Sequence, residues 1–165
     1  MLDPSTVNGL GLKWTYATGD LVCGSPTVVN GVLYIGSWDH KIYALNADTG
    51  SKLWSYATPD RVCSQPAVVG GVVYVGSYGA TFLALDAGSG AKLWSYIAGD
   101  SVFGASVANG VVYVGSFDHN VYALDASSGE RLWKVVSRKL WKSEYRISPE
   151  LSHGVSFRPC FVPSS

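Results

Sequence analysis

Apolar and polar residues alternate in short runs along most of residues 12–136, and glycine-containing turns separate the runs. The runs "VLYIGS", "KIYALN" and "KLWSYA" are rich in Val, Ile, Tyr and Trp and lack helical spacing, so they predict β-strands. Tight hairpins with positive φ are predicted at Asn30-Gly31, Gly70-Gly71 and Asn109-Gly110. The segments "ADTGS", "AGSGA" and "ASSGE" predict the next chain reversal.

This pattern occurs three times with a period near 40 residues. The tryptophans mark the period, since Trp14, Trp54, Trp94 and Trp133 are 40, 40 and 39 residues apart. One copy predicts a four-stranded antiparallel meander that reads "SPTVV", "VLYIGS", "KIYALN", "KLWSYA". The connections are too short to hold a helix, so the whole chain is predicted to be all-β.

The pattern Y-x-G-S, followed by A-L-D-A-x-x-G-x-x-L-W, resembles the PQQ-like (pyrroloquinoline quinone) β-propeller repeat. That repeat is found in quinoprotein dehydrogenases and in the bacterial outer-membrane barrel-assembly lipoprotein. The resemblance covers roughly residues 12–136 and implies a partial or small β-propeller of four-stranded antiparallel blades. It also implies that one set of aromatic rings docks between neighbouring blades: Trp14, Trp54, Trp94 and Trp133.

The repeat divides the chain into three blades with a segment at each end. The blades are expected at residues 19–58, 59–98 and 99–136, after an N-terminal segment (1–18) that contains a candidate latch strand. Residues 137–165 form a divergent tail and a candidate partial fourth blade, because Ser148-Pro149 matches Ser25-Pro26. Closed propellers have four to eight blades, so a latch, oligomerisation through the open blade faces, or truncation of a larger propeller each fits the sequence.

Composition and charge narrow the classes of partner. The 165 residues include 12 basic and 12 acidic residues and show no basic stripe, which argues against a nucleic-acid partner. No apolar run approaches the length of a membrane span, and "MLDPSTVNGLGLKW" does not resemble a signal peptide. The location is left open; a fragment of a bacterial family member would be periplasmic or otherwise extracytoplasmic.

One face of the predicted blades gathers the loops that are candidates for partner binding. Trp38, Tyr78 and Phe117 occupy one equivalent position there, and Arg61 lies on a neighbouring loop. Exposed aromatic residues on a rigid scaffold favour a protein-binding patch, whereas packing of the rings onto the adjacent loop is the alternative.

Two further sets of residues on this face are candidates for a metal or acid–base site and for a disulfide. Asp39-His40 and Asp118-His119 have the composition of a metal site or an acid–base pair, but they lie two blades apart, so solvent-exposed turn residues are favoured. Cys23 and Cys63 are equivalent positions of neighbouring blades. A disulfide between them is conceivable, but Phe103 fills the third slot, so buried free thiols are favoured. Cys160 is the third cysteine, and because the number is odd at least one cysteine cannot be paired within a monomer.

The leading functional hypothesis is a non-catalytic scaffold that binds another protein through its loop face, with no cofactor and no metal. The runner-up is a fragment of a quinoprotein dehydrogenase, an alcohol- or sugar-oxidising enzyme that uses PQQ with Ca²⁺. The resemblance implies an adjacent Cys-Cys disulfide and a Glu, Asn and Asp set for Ca²⁺ in such enzymes, and this chain has no Cys-Cys pair. A propeller module appended to a sensor or enzyme is a third interpretation.

Overall fold

The computed structural model describes residues 11–136 and consists of three four-stranded antiparallel sheets. The first sheet contains β1 (Thr27–Val29), β2 (Val32–Ser37), β3 (Lys41–Asn46) and β4 (Lys52–Ala57). The second contains β5 (Ala67–Val69), β6 (Val72–Gly76), β7 (Thr81–Asp86) and β8 (Lys92–Ile97). The third contains β9 (Val102–Ala108), β10 (Val111–Ser116), β11 (Asn120–Asp125) and β12 (Arg131–Val136).

Within each sheet the strands pair in chain order, so each repeat is one antiparallel meander, a propeller blade. Residues 11–136 contain no helix, and hence none that is long and apolar enough to cross a membrane. The all-β propeller fold expected from the sequence is confirmed. Residues 11–18 form no strand with the three described sheets. The strands with which a latch would pair lie outside the described residues, so the latch stays a prediction. Residues 1–10 and the divergent tail, with its candidate fourth blade and Cys160, lie outside the described residues.

The hydrophobic core lies between the sheets rather than within them, because alternate side chains of a strand point to opposite faces. One buried cluster joins the first and second blades, and a second cluster joins the second and third. A third, smaller cluster on the other face of the first blade consists of Ile35, Tyr43 and Leu45, and Trp14 and Tyr16 of the N-terminal segment pack against it.

A tryptophan fastens each blade to the next by the same contact. Trp54 Nε1 donates a hydrogen bond to Ala87 O at 3.0 Å, and Trp94 Nε1 donates to Ala126 O at 3.0 Å. Each ring also covers the turn glycine of the next blade, where a Cβ added to Gly90 would lie 2.6 Å from Trp54 Cδ2. Gly90 has a φ of 74°, so glycine serves both the left-handed turn and the close approach of the ring.

Trp14 makes this contact although residues 11–18 belong to no sheet. Its Nε1 donates to Ala47 O at 3.0 Å, and its ring lies 2.6 Å from the Cβ position on Gly50. Trp133, at the other end of the array, is 45% exposed. Of the four tryptophans that mark the repeat, three are therefore seated and one is exposed.

A β-bulge in every blade precedes the tryptophan. The register between the third and fourth strands shifts after Ala44, Ala84 and Ala123, so that Leu45 pairs with Lys52 while Ala44 pairs with Trp54. The extra residue in the first blade is Leu53, which is half exposed. Bulges increase the local twist of a strand, and this bulge lies directly before the tryptophan whose ring contacts the next blade.

A second contact joins the blades closer to the innermost strands, where valine meets glycine. Gly36 of β2 faces Val62, and Gly76 of β6 faces Val102; a Cβ on either glycine would collide with the facing valine residue. The valine backbones are fixed as well, since Val62 N donates to Ser37 O at 3.0 Å and Val102 N to Ser77 O at 3.2 Å.

We predict that replacing a seated tryptophan is far more costly than replacing the exposed one. Trp94 is 8% exposed, so Trp94→Ala should lower the free energy of unfolding by about 3–5 kcal/mol through lost burial and a residual cavity. Trp133→Ala, the matched control, should cost about 1 kcal/mol or less because almost half of its side chain already contacts solvent. Urea unfolding followed by circular dichroism measures both, and equal losses would contradict the prediction.

Candidate functional site

Two sets of loops lie side by side along one face of the array, which we call the loop face. The middle turns join the second and third strands of each blade (residues 38–40, 77–80 and 117–119), and the leading loops precede the first strand. Within each blade the two are hydrogen-bonded: Trp38 N donates to Leu21 O at 2.9 Å, Tyr78 N to Arg61 O at 3.0 Å, and Phe117 N to Ser101 O at 3.0 Å. The backbone of the loop face is thereby tied to the blades.

Aromatic rings form a continuous series across the loop face of all three blades. Ring centroids are 6.5 Å apart for Trp38 and Tyr78, 5.2 Å for Tyr78 and Phe103, and 4.6 Å for Phe103 and Phe117. The Arg61 guanidinium lies over the Trp38 ring, with Cζ 4.9 Å from the centroid. We call these five residues the aromatic line. The structure thus connects Trp38, Tyr78, Phe117 and Arg61, which the sequence placed on one face without showing their contacts.

Much of the aromatic line faces solvent. Phe117 is 62% exposed and Tyr78 is 37% exposed. Leu21, whose carbonyl accepts from Trp38 N, and Val22 are exposed in the first leading loop. Trp38 and Phe103 are half-buried. The two sequence interpretations, a binding patch and packing between loops, therefore describe different parts of one feature: the half-buried rings pack, and the outer rings remain accessible.

Phe103 is the member of the aromatic line that the sequence interpretation did not place there. It occupies the position of Cys23 and Cys63 in the third blade, and it lies between Tyr78 and Phe117. The sequence does carry one signal, because an aromatic residue replaces cysteine at this position in the third copy of the repeat. Its significance depends on a contact between blades that spacing alone does not give.

The aspartates of the two Asp-His pairs are half-buried acceptors, whereas solvent-exposed turn residues were expected. Asp39 Oδ2 accepts a hydrogen bond from Gly19 N at 2.8 Å and another from the Tyr43 hydroxyl. Asp118 Oδ2 accepts from Gly99 N at 2.8 Å and from the Tyr122 hydroxyl. Each carboxylate therefore fastens the middle turn to the leading loop and to the third strand of its own blade.

The histidines that follow the aspartates are exposed and have left-handed backbones. His40 has a φ of 65° and His119 a φ of 67°, and Ala80 holds the equivalent position with 59°. Among residues 11–136 no three His, Cys, Asp or Glu side chains converge as a metal would need. Across the described residues, the geometry assigns the Asp-His pairs to the architecture of the turn.

The second blade lacks every component of this aspartate contact. Gly79 stands in place of the aspartate, Leu83 in place of the tyrosine, and Pro59, which has no N–H, in place of the glycine donor. Acceptor and both donors are absent together, so no buried polar group is left without a partner there. The coordinated replacement explains why "SYGAT" departs from "SWDHK" and "SFDHN".

Hydrogen bonding dominates the titration of these carboxylates. Burial acts to raise the pKa of Asp118, but hydrogen bonds from the Tyr122 hydroxyl and from the backbone N–H groups of Asn120 and Gly99 lower it to about 2. Burial also acts to raise the pKa of Asp39, but the hydrogen bonds from the Tyr43 hydroxyl and from Gly19 N outweigh this effect and lower the pKa. Burial and the hydrogen bond to Asp118 raise the pKa of Tyr122, which keeps its proton on the donor.

Cys23 and Cys63 form a disulfide, so the expectation of buried free thiols is wrong. Their Cα atoms are 5.3 Å apart, within the range a disulfide spans, because equivalent positions of neighbouring leading loops lie side by side. Cys23 is exposed and Cys63 is half-buried. The Trp38 indole N–H points to Cys23 Sγ at 2.9 Å, so the cross-link lies directly against the aromatic line.

Residues 11–136 do not fit the quinone site that the sequence resemblance implies. The disulfide joins cysteines 40 residues apart rather than adjacent ones. The acidic residues at the blade reversals serve the turns instead: Asp86 Oδ1 accepts from Ser89 N at 2.8 Å, and Asp125 Oδ1 accepts from Ser128 N at 2.9 Å.

Comparison with protein families gives two matches that together span most of the chain. Residues 60–156 match the family described as outer membrane protein assembly factor BamB. Residues 1–65 match the family described as glucose/ethanol/alcohol dehydrogenase, beta-propeller domain. Comparison with curated protein sequences found no match.

Solved structures similar to this chain come from both groups. BamB from Moraxella catarrhalis is 26% identical with a TM-score of 0.68, over 75% of this chain and 39% of that protein. Quinohemoprotein alcohol dehydrogenase from Comamonas testosteroni is 29% identical with a TM-score of 0.68, over 81% of this chain and 24% of that enzyme. The chain thus spans less than two fifths of either protein. The computationally designed Ika4 protein shares the fold, with 17% identity and a TM-score of 0.70 over 77% and 79% of the two chains.

We predict that acid weakens the fold as Asp118 takes up a proton. Folding lowers the pKa of Asp118 from 3.8 to about 2. As the pH falls, the carboxylate is therefore protonated in the unfolded chain before it is protonated in the folded one. The stabilisation from Asp118 should be complete above about pH 4 and should be lost as the pH falls towards 2. Tyr122→Phe removes a donor and should move the carboxyl titration to higher pH, which ¹³C NMR of labelled aspartate would detect.

Tyr96→Phe is the matched control for the titration. Its ring centroid lies 5.4 Å from that of Tyr122, but its hydroxyl oxygen accepts from Arg131 and does not contact Asp118. This variant should leave the Asp118 titration midpoint in place. A similar upward shift in both variants would show that the tyrosine hydroxyl at position 122 is not what stabilises the carboxylate.

We also predict that the disulfide contributes strongly to stability. It closes a loop of 40 residues, for which the chain-entropy model gives about 4 kcal/mol. Under oxidising conditions Cys63→Ser should lower the free energy of unfolding by roughly that amount, whereas under reducing conditions the same substitution should cost far less, because the cross-link is then absent from both proteins. Peptide mapping without reductant should recover the Cys23 and Cys63 peptides joined, and their recovery as separate thiol peptides would contradict the disulfide.

Proposed function

The chain belongs to the PQQ-like β-propeller repeat family, and we propose that it is a non-catalytic scaffold that binds another protein through its loop face. The observation that carries the proposal is the aromatic line, which runs unbroken across three blades. Such a feature is not needed to hold the blades together, because the inter-blade clusters and the seated tryptophans already do so.

The composition of the aromatic line matches that of protein-binding sites. Trp, Tyr, Phe and Arg are enriched in the cores of protein interfaces, and Trp, Tyr and Arg are the residues most often found to dominate binding energy. Four rings and one guanidinium lie in contact here, and Phe117 and Tyr78 are accessible. A partner would bury surfaces that are already held in position, so little ordering entropy would oppose binding.

The rigidity of the loop face further supports a recognition role. The Asp39 and Asp118 contacts hold two middle turns, and the disulfide joins the first two leading loops. The family matching residues 60–156 is described as an outer membrane protein assembly factor, a task carried out by contacts with other proteins. We extend to this chain only the class of partner, a protein.

A fragment of a quinoprotein dehydrogenase is the second candidate, favoured by the dehydrogenase propeller family that matches residues 1–65. Under this candidate PQQ would supply the redox chemistry, in blades that lie outside the described residues. Adding PQQ and Ca²⁺ to the protein tests it. Visible absorbance that survives desalting, together with dye reduction by an alcohol, would favour the dehydrogenase and contradict the scaffold.

The scaffold proposal predicts that the partner can be captured from the aromatic line. With p-benzoylphenylalanine in place of Phe117, illumination in the native cell should give discrete adducts heavier than the 17.6 kDa chain. The reason is that Phe117 is the most exposed ring of the line, so a bound partner must lie against it.

The control places the same photoreactive residue at Leu53. This side chain is 50% exposed, but it lies on the outer strand of the first blade, away from the loop face. Adducts from position 117 that are absent at position 53, and that disappear in the Trp38→Ala background, support the proposal. No adduct at position 117, or identical adducts from both positions, would contradict it.

A further inference from the structure

The Cys23–Cys63 disulfide joins two leading loops that are held to their blades to very different degrees. Cys63 belongs to the second leading loop, in which Val62, Ser64 and Pro66 are all buried. Val62 N also donates a hydrogen bond to Ser37 O at 3.0 Å. None of these contacts involves the sulfur–sulfur bond, so the second leading loop does not depend on the disulfide for its position.

The first leading loop is held much less firmly around its cysteine. Cys23 is exposed, and Leu21 and Val22 before it are 61% and 49% exposed. Among residues 11–136, residues 22–26 take part in no backbone hydrogen bond. The disulfide is therefore the main attachment of this segment to the second blade.

One difference between the repeats contributes to this contrast. Gly24 stands in the first blade where Ser64 stands in the second. Ser64 Oγ donates to Gly76 O at 2.7 Å and accepts from Gly76 N at 3.0 Å, which fastens the second leading loop to β6. Because Gly24 has no hydroxyl, the first leading loop cannot make this contact with β2.

The disulfide supports only one end of the aromatic line. The Trp38 indole N–H points to Cys23 Sγ at 2.9 Å, so the position of this ring is coupled to the cross-link. Tyr78, Phe103 and Phe117 contact one another without a sulfur atom, and Phe103 holds the position of the cysteines in the third blade. Opening the disulfide would thus remove a support from Trp38 and leave the other end of the line in place.

We propose that this disulfide is a thiol-exchange site, which a dithiol opens at Cys23, and that its opening releases Trp38 from the aromatic line. Exchange requires that a thiolate reach one of the two sulfurs, and Cys23 is the exposed cysteine of the pair. The exchange itself is independent of the proposed function, whereas its consequence for a bound protein rests on that function.

The reaction consists of two exchange steps. One thiolate of the dithiol attacks Cys23 Sγ, the sulfur–sulfur bond breaks, and its electron pair leaves on Cys63 Sγ, which takes a proton from solvent. The second thiolate of the dithiol then attacks the dithiol sulfur in the mixed disulfide and expels Cys23 as a thiolate, which is also protonated. The protein gains two thiols, and the dithiol is oxidised to its own disulfide.

Reduction would weaken the surface that the loop face offers to a protein partner. Trp38 and Arg61 lie in contact at this end of the line, and Trp and Arg are among the residues that most often dominate binding energy. Once the first leading loop is released, a partner would have to order these side chains on binding, which reduces affinity. The oxidised chain is therefore the form expected to bind.

¹⁵N NMR of the full chain tests the local effect, because each indole N–H gives its own signal. Dithiothreitol should move the Trp38 signal, which a Trp38→Phe variant identifies. Trp54 and Trp94 donate to backbone carbonyls of the next blade, so their signals should stay in place and show that the fold is intact. A Trp38 signal that does not move although both thiols have formed, or loss of all three signals together, would overturn the proposal.

Cys63→Ser is the matched control, because it removes the cross-link and retains the Cys23 sulfur beside Trp38. Its Trp38 signal should coincide with that of the reduced wild type and should not respond to dithiothreitol. A signal that still moves in this variant would show that the reductant acts elsewhere, which contradicts the proposal. The Trp54 and Trp94 signals report in the same spectrum whether the variant is folded.

Glutathione identifies the sulfur that is attacked, since a monothiol forms the mixed disulfide of the first step. After brief exposure and acid quenching, peptide mapping should find glutathione on Cys23 and a free thiol on Cys63. Glutathione found mainly on Cys63 would overturn the assignment of Cys23 as the point of attack.

Photo-crosslinking separates this proposal from the proposed function. The purified, oxidised chain with p-benzoylphenylalanine at position 117 is illuminated in an extract of the native cell, and the Cys63→Ser background should give several-fold fewer adducts. Equal adducts from both proteins would leave the scaffold standing and contradict the effect of the disulfide on binding. Absence of adducts from both would contradict the scaffold, and the Trp38 signal would still decide whether the exchange site exists.

Discussion

The structure depends on one contact, in which a tryptophan ring covers the turn glycine of the next blade. The indole N–H bonds a carbonyl beside that turn, and the ring occupies space that any Cβ would take. An aromatic side chain of this size buries 150–250 Å² in general, and at about 25 cal/mol per Å² the gain is about 4–6 kcal/mol. A four-stranded sheet has two apolar faces and no core of its own, so each blade is stable only when its faces are covered.

Most of the fold was predictable because it follows from local rules. Alternation gave the second, third and fourth strands of each blade, and glycine turns gave their boundaries. The exceptions are the first strands: β1 and β5 have three residues each, while β9 has seven. Nothing in the sequence pattern distinguishes the first strand of the third blade by length from those of the other two. The bulge at Leu53 was also not foreseen, since a leucine there simply continues the apolar pattern.

The candidate site was predictable in its location and much less so in its contacts. Equivalent positions in the repeat brought Trp38, Tyr78 and Phe117 to one face, because a repeat places equivalent residues alike. The contacts between these rings depend on distances between blades, which the sequence does not give. The same is true of the disulfide and of the position of Phe103 between Tyr78 and Phe117. The aspartates were misjudged for a related reason. Their backbone donors lie about twenty residues earlier in the chain, and a glycine N–H leaves no mark in a sequence.

The coordinated replacement in the second blade also defines what can be exchanged between blades. Moving the "WDH" turn alone into the second blade would bring a carboxylate to Pro59, which has no N–H, and to Leu83, whose side chain has no donor. The segment that carries the contact intact runs from the leading loop to the third strand, residues 19–43 in the first blade and 59–83 in the second. Recombination or design that respects those limits preserves the contact, whereas a crossover inside them breaks it. The blade as usually drawn is therefore not the smallest modular unit of this face.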